Sequence, residues 1–130
     1  MTHDARFHFT KILVTDIESQ FAFYASVLGM AEKYRYAHGT GDDALEEIIM
    51  TSAAGGDPTL VLVHFLNRPG QAPGEAILGF TVPDLDDTVR RVSEAGGTVE
   101  QAPFEVSDFK LRAAFVRDPE GHRLELVQSL

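Results

Sequence analysis

Hydrophobic and polar positions alternate most strictly near the end of the chain, where Arg123-Leu124-Glu125-Leu126-Val127 follows Asp118-Pro119-Glu120-Gly121. This alternation predicts a strand with Leu124 and Leu126 on one face and Arg123, Glu125 and Val127 on the other. Asp, Pro and Gly at the first, second and fourth places of the preceding segment match a type I turn. Glu125 therefore stands in mid-strand, on the side away from the packing leucines. A charge in that position needs a partner, a solvent-filled cavity or a metal.

The same reading from the start predicts a strand over Phe7 to Thr15, then a helix with apolar positions at Ile17, Phe21, Tyr24 and Leu28. Asp16 is a suitable N-cap and Gly29 a suitable stop. Strands are expected at Lys33 to Ala37, Leu45 to Thr51 and Thr59 to Phe65, and Asn67 to Gly74 reads as a Pro/Gly-rich connection. The pattern then begins again. An offset of 68 carries Val14 to Val82, Asp16 to Asp84, Ile17 to Leu85, Phe21 to Val89, Tyr24 to Val92 and Gly29 to Gly97. The second helix ends near Gly96 and Gly97, and strands follow at Thr98 to Phe104 and Leu111 to Arg117. With shorter loops the offset falls to 64, which lays Thr59-Leu60-Val61-Leu62-Val63 on Arg123-Leu124-Glu125-Leu126-Val127.

The expected fold class is α+β: two tandem βαβββ modules forming a curved mixed sheet around an open trough. Residues 1–66 form the first module, 67–75 the linker and 76–130 the second module. Each helix must cover one sheet face. Ile12, Val14, Leu60, Leu62, Leu78, Phe80, Val82, Leu124 and Leu126 have the parity of that face. The other face carries Phe9, Lys11 and Leu13; Val61, Val63 and Phe65; Ile77, Gly79 and Thr81; and Arg123, Glu125 and Val127. No sequence remains to build a third layer, so an apolar, half-open surface with a few polar groups is predicted, the make-up of a small-molecule pocket.

Composition narrows the classes. A hydrophobic share of 44% in 130 residues fits one globular domain. The net charge of -9 argues against a nucleic-acid partner. No apolar run approaches the roughly 18 residues of a membrane span, and the first ten residues lack the apolar core of a secretory signal, so a cytoplasmic location is expected. With no cysteine, a metal site must come from His and carboxylates.

The motifs Val14-Thr15-Asp16-Ile17, Phe23-Tyr24 with Val27-Leu28-Gly29-Met30, Val82-Pro83-Asp84-Leu85 with Glu94-Ala95-Gly96-Gly97, and Asp118-Pro119-Glu120-Gly121 with Leu124-Glu125-Leu126 span almost the whole chain. In order, spacing and duplication it resembles the vicinal oxygen chelate superfamily of glyoxalase I, extradiol dioxygenases, and bleomycin and fosfomycin resistance proteins. The resemblance implies a homodimer and, in metal-dependent members, one His or Glu ligand from each of four strands. Those positions fall on Phe9, Val61, Ile77 and Glu125. Only Glu125 is a metal ligand by type, and one carboxylate does not hold a catalytic ion by itself. No metal and no cofactor are therefore expected. His8 and His64 have the parity of the helix-covered face, His122 lies at the turn and His38 in a glycine-rich loop.

Lys11 shares the face of Phe9, and an ion pair between Lys11 and Glu125 is expected where relatives keep metal. The pair is the candidate catalytic centre, through a shifted pKa. Phe9, Leu13, Val61, Val63, Phe65, Ile77, Gly79, Thr81 and Arg123 are the candidate ligand-binding residues, with Arg123 suited to clamping a carboxylate or phosphate. Tyr34, Tyr36, Phe65, Phe104 and Phe109 are expected in the core rather than in an aromatic wall. The function implied is binding of a small, partly apolar organic molecule in a metal-free pocket. The alternative is an enzyme of the lyase, isomerase or dioxygenase type, such as a lactoylglutathione lyase, working through Lys11 and Glu125 or through atypical metal ligands.

Overall fold

The computed structural model of the chain describes residues 5–56, 59–70 and 72–130. Its elements run β1 (Thr10–Leu13), α1 (Ile17–Leu28), β2 (Ala31–His38), β3 (Leu45–Thr51), β4 (Leu60–Phe65), β5 (Ile77–Thr81), α2 (Leu85–Glu94), β6 (Thr98–Val106), β7 (Leu111–Arg117) and β8 (Arg123–Ser129). Strands are ordered β1-β4-β3-β2 in one sheet and β5-β8-β7-β6 in the other. In each, the first strand pairs parallel to the last and the other neighbours are antiparallel. This is the duplicated α+β architecture expected, with one departure at the start. Phe7, His8 and Phe9 precede the first strand instead of belonging to it.

The helix signals act as their chemistry requires. Asp16 accepts a hydrogen bond from Ser19 N at 3.1 Å, and Asp84 accepts one from Asp87 N at the same distance, so both aspartates satisfy orphan N–H groups at helix starts. Gly29 ends α1 in the left-handed region at φ 67°, the conformation that favours glycine. Its repeat partner does something else. Gly96, not Gly97, takes the left-handed turn after α2, at φ 91°. Gly97 is a close-approach position, where a Cβ would meet the Arg117 carbonyl oxygen at 2.4 Å.

The predicted inner face forms one core shared by both modules. Ile12, Val14, Leu60, Leu62, Val82, Leu124 and Leu126 are buried in it with Phe23 and Tyr24 of α1 and Leu85 and Val92 of α2, while Leu78 and Phe80 pack against its edge. A smaller apolar cluster occupies the opposite face of the first sheet, where Ile49, Val61 and Val63 pack with Leu13, Leu45 and Phe65.

Candidate functional site

The Asp118 turn closes as expected, with Gly121 N donating to Asp118 O at 2.9 Å, but it is more than a turn. The Asp118 carboxylate is buried and accepts from Gln20 Nε2 and Tyr24 OH, both at 2.7 Å. It also accepts from the Glu120 and His122 backbone N–H groups, both at 3.0 Å. His122 is buried too, with Nδ1 at 2.8 Å from Asp118 Oδ2 and Nε2 at 3.0 Å from the Leu13 carbonyl. Glu120 accepts from Thr15 N and Asp16 N at 2.7 Å each, which places a carboxylate at the start of α1. One turn of the second module thus clasps strand β1 and helix α1 of the first.

Both ring nitrogens of His122 face acceptors, a geometry satisfied by the imidazolium. Burial alone would lower its pKa, but the hydrogen bond and charge of Asp118, with the Leu13 carbonyl, outweigh it and raise the value above the ordinary 6.5. Burial likewise pushes Asp118 upward, and the hydrogen bonds from His122, Tyr24 and Gln20 outweigh it, so its carboxyl falls below the ordinary 3.8. Burial first, then the Asp118 charge and hydrogen bond, push the Tyr24 phenol well above 10.0.

On the open face the structure corrects the expected partner of Lys11. Lys11 Nζ lies 3.1 Å from Glu47 Oε2, while Glu125 sits in the other sheet between Gly79 and Phe115. Glu47 is only 2% exposed. Its Oε1 accepts a short hydrogen bond from Tyr36 OH. Its Oε2 is at ion-pair distance from Lys11 but not aligned for a hydrogen bond, and accepts none among the described residues. The bond to Glu47, with lesser help from desolvation and charge, raises the Tyr36 phenol above its ordinary 10.0. The Glu125 side chain is half-buried, and its carboxylate has no hydrogen bond or ion pair among the described residues.

Glu47 escapes the sequence reading because Glu46 and Glu47 are adjacent in a strand whose phase the pattern leaves open, and Tyr36 is expected there in the core. The register settles it. Glu47 pairs with Val63 and Tyr36 pairs with Glu47, while Glu46 points to the other face and meets His64 Nδ1 at 2.9 Å. Parity from Leu45, Ile49 and Thr51 was the available signal.

The remaining candidates divide. Val61 and Val63 are buried at 3% exposure and support the face from beneath. Leu13 and Phe65 pack on them, and the Arg68 guanidinium lies 3.7 Å from the Phe65 ring centroid. Phe9, Tyr34 and Tyr36 are 44%, 52% and 41% exposed, so the two tyrosines form an aromatic rim where core was expected. Phe109, on a short turn after β6, is exposed as well, and Phe104 stacks on Phe115 at the second sheet. Ile77, Gly79 and Thr81 lie along β5 opposite Arg123, Glu125 and Val127. Arg123 Nε donates to Glu100 at 2.9 Å, and Arg117 shares that carboxylate at 3.0 Å. A cavity of about 330 Å³ runs along β1 to the linker, and Lys11 and Arg123 both line it.

The model of the Glyoxalase/Bleomycin resistance protein/Dioxygenase superfamily matches residues 6–126. The chain belongs to that superfamily. It is 28% identical to the probable lactoylglutathione lyase of Vibrio cholerae, with 92% of this chain and 88% of that protein covered. It is 27% identical to the lactoylglutathione lyase of Salmonella typhimurium, with 92% and 90% covered. Its fold is shared with the crystal structure of a glyoxalase family protein from Bacillus cereus, at TM-score 0.85 and 20% identity, over 100% of this chain and 99% of that one.

Metal-dependent superfamily members set the test for a resident ion, and these residues do not meet it. Phe9, Val61 and Ile77 offer no donor atom from their side chains, and Glu125 stands as the one oxygen ligand of the four positions. Among the described residues no group of three or more His, Cys, Asp or Glu is placed to hold a metal ion. No helix among them is long and apolar enough to cross a membrane.

Proposed function

We propose that this superfamily member binds a small, partly apolar organic molecule on the open side of its sheets, as a cytoplasmic homodimer and without a resident metal. The observation that carries the reading is the make-up of the four ligand positions together with what stands beside them. Three are apolar, and the polar centre of the first sheet is the Lys11, Glu47 and Tyr36 cluster set over Leu13, Val61 and Val63. An apolar floor, an aromatic rim and a few fixed polar groups suit an organic guest. Lys11 and Glu125 remain the residues proposed for any proton transfer, now on separate sheets. A thermal-shift screen over planar and apolar metabolites tests the reading, because a bound guest raises the melting temperature by mass action. Metal analysis of protein purified without chelators is its companion, and one equivalent of bound transition metal per chain overturns the metal-free part.

The second reading is turnover on the same face, as a lyase or isomerase. It is supported by the similarity to proteins named lactoylglutathione lyase over nine-tenths of the chain. Turnover of any screening hit that disappears in Lys11→Met favours it.

A further inference from the structure

We propose that the guest is an organic carboxylate, taken into the 330 Å³ groove along β1 with Lys11 and Arg123 as its charge partners. This rests on the small-molecule reading and adds the chemical class. The groove is of the size that holds a small ligand. Its apolar lining includes Leu13, Pro73 and Leu78, enough for a ring or a short hydrocarbon body.

The charge argument is local. The chain carries -9 overall, yet the lining of this groove includes two permanently cationic residues, Lys11 and Arg123, and one acidic residue, Glu75. Each cation has a carboxylate partner outside the groove lining, Glu47 for Lys11 and Glu100 for Arg123, but neither has all its donors engaged. The Lys11 side chain is 48% exposed and meets Glu47 without a hydrogen bond to Oε2, so its ammonium keeps donors for a second acceptor. Arg123 bonds Glu100, a carboxylate it shares with Arg117, through Nε and one terminal nitrogen, so its other terminal nitrogen keeps donors for an acceptor in the groove.

The backbone adds donors. Thr10 N bonds Thr59 O at 3.0 Å and Val14 N bonds Val63 O at 2.8 Å. In a parallel ladder this alternation directs Ile12 toward β4 and leaves the N–H groups of Lys11 and Leu13 on the free edge. The Leu13 carbonyl on that edge is already taken by His122 Nε2. The edge therefore offers the Lys11 and Leu13 N–H groups to an acceptor, beside the Lys11 carbonyl, while the Leu13 carbonyl is masked.

Three probes of one shape test this: 2-naphthoate, 2-naphthamide and 2-naphthylmethylammonium, titrated calorimetrically into the full chain at low salt. Naphthoate is expected to bind about tenfold tighter than the amide, and the ammonium weakest, since charge-assisted hydrogen bonds are roughly twice as strong as neutral ones. Arg123→Gln should weaken naphthoate about tenfold, Glu75→Gln should tighten it, and neither should move the amide. Both variants lie on exposed side chains and leave the core untouched. Equal binding of naphthoate and naphthamide, or preference for the ammonium, overturns the carboxylate assignment while the small-molecule reading stands. Unchanged naphthoate binding in both variants overturns the groove as its location. Failure of all three probes, in the full chain at millimolar concentration, overturns this inference, whereas the broader reading falls only with the wider thermal-shift screen.

Discussion

His122 Nε2 donates to the carbonyl of Leu13 at 3.0 Å across 109 residues of sequence, joining the final turn of the second module to the first strand of the chain. The ring's other nitrogen rests on buried Asp118, so an ion pair holds the joint. Its pH dependence follows from the two shifts. The His122 pKa is raised on folding, so its contribution is complete below about 6.5 and is lost as pH rises through the folded value. The Asp118 pKa is lowered, so its contribution is complete above about 3.8 and is lost as pH falls through the folded value. Thermal stability should therefore be greatest between these limits and decline on the alkaline side. Melting curves at a series of pH values should show that decline, and His122→Gln should flatten it.

Asp118 has a heavier role than its turn position suggests. Replacing it with Asn keeps the shape but removes the charge that faces Tyr24 OH, Gln20 Nε2 and the imidazolium. Removing one partner of a buried ion pair leaves the other uncompensated, at a cost of about 3 kcal/mol or more. Chemical denaturation of Asp118→Asn should show a loss of that size. A loss under 1 kcal/mol, on the scale of an exposed pair, would mean that solvent reaches the network.

Glu120 receives two backbone N–H groups from Thr15 and Asp16 at 2.7 Å. Glu120→Ala leaves both donors to water at the start of α1, and charge-assisted bonds of this kind are worth about 1.5–3 kcal/mol. Partial exposure puts the expectation at the lower end. Glu120→Asp is one methylene shorter and should recover little of it, measured as the shift in denaturant midpoint.

The two repeat-related glycines separate a steric role from a conformational one. At Gly97 a Cβ would lie 2.4 Å from the Arg117 carbonyl oxygen and 2.7 Å from Val92 Cγ1, so Gly97→Ala forces backbone apart and should cost about 1–3 kcal/mol. At Gly29 nothing lies within 4 Å of the added atom, and only the left-handed φ of 67° opposes it. Gly29→Ala should cost about 1 kcal/mol, less than the first. Equal losses in the two variants would refute the distinction.

Much of this was legible because it depends on local chemistry. Asp16 and Asp84 stand where helix starts need an acceptor, and the period of two in Leu60, Leu62, Leu124 and Leu126 marks their buried face without knowledge of neighbours. What failed depends on register and closure. Lys11 was assigned to Glu125 by analogy between first and last strands, whereas the ladder brings it level with Val61 and within reach of Glu47 on β3. Tyr34 and Tyr36 were placed in the core by residue type, yet β2 is a sheet edge with nothing packed outside it among the described residues. His122 gave no periodic signal, since its partners lie four residues and 109 residues away.

The Lys11 and Glu47 pair allows an asymmetric test, because one member is nearly buried and the other half exposed. Lys11→Met strips the cation from a carboxylate that is 2% exposed, leaving Tyr36 OH as its remaining partner. An uncompensated buried charge makes this the costly change, at about 3 kcal/mol. Glu47→Leu removes the buried charge itself and puts apolar volume beside Val63 and Ile49, while the Lys11 ammonium turns to solvent. Replacing a buried ionic group by an apolar one is often neutral or stabilising, so its melting temperature should stay near that of the unmodified protein. The order of the two losses carries the argument. If Glu47→Leu is the more damaging, the carboxylate is reached by water and the open face is wetter than its burial implies.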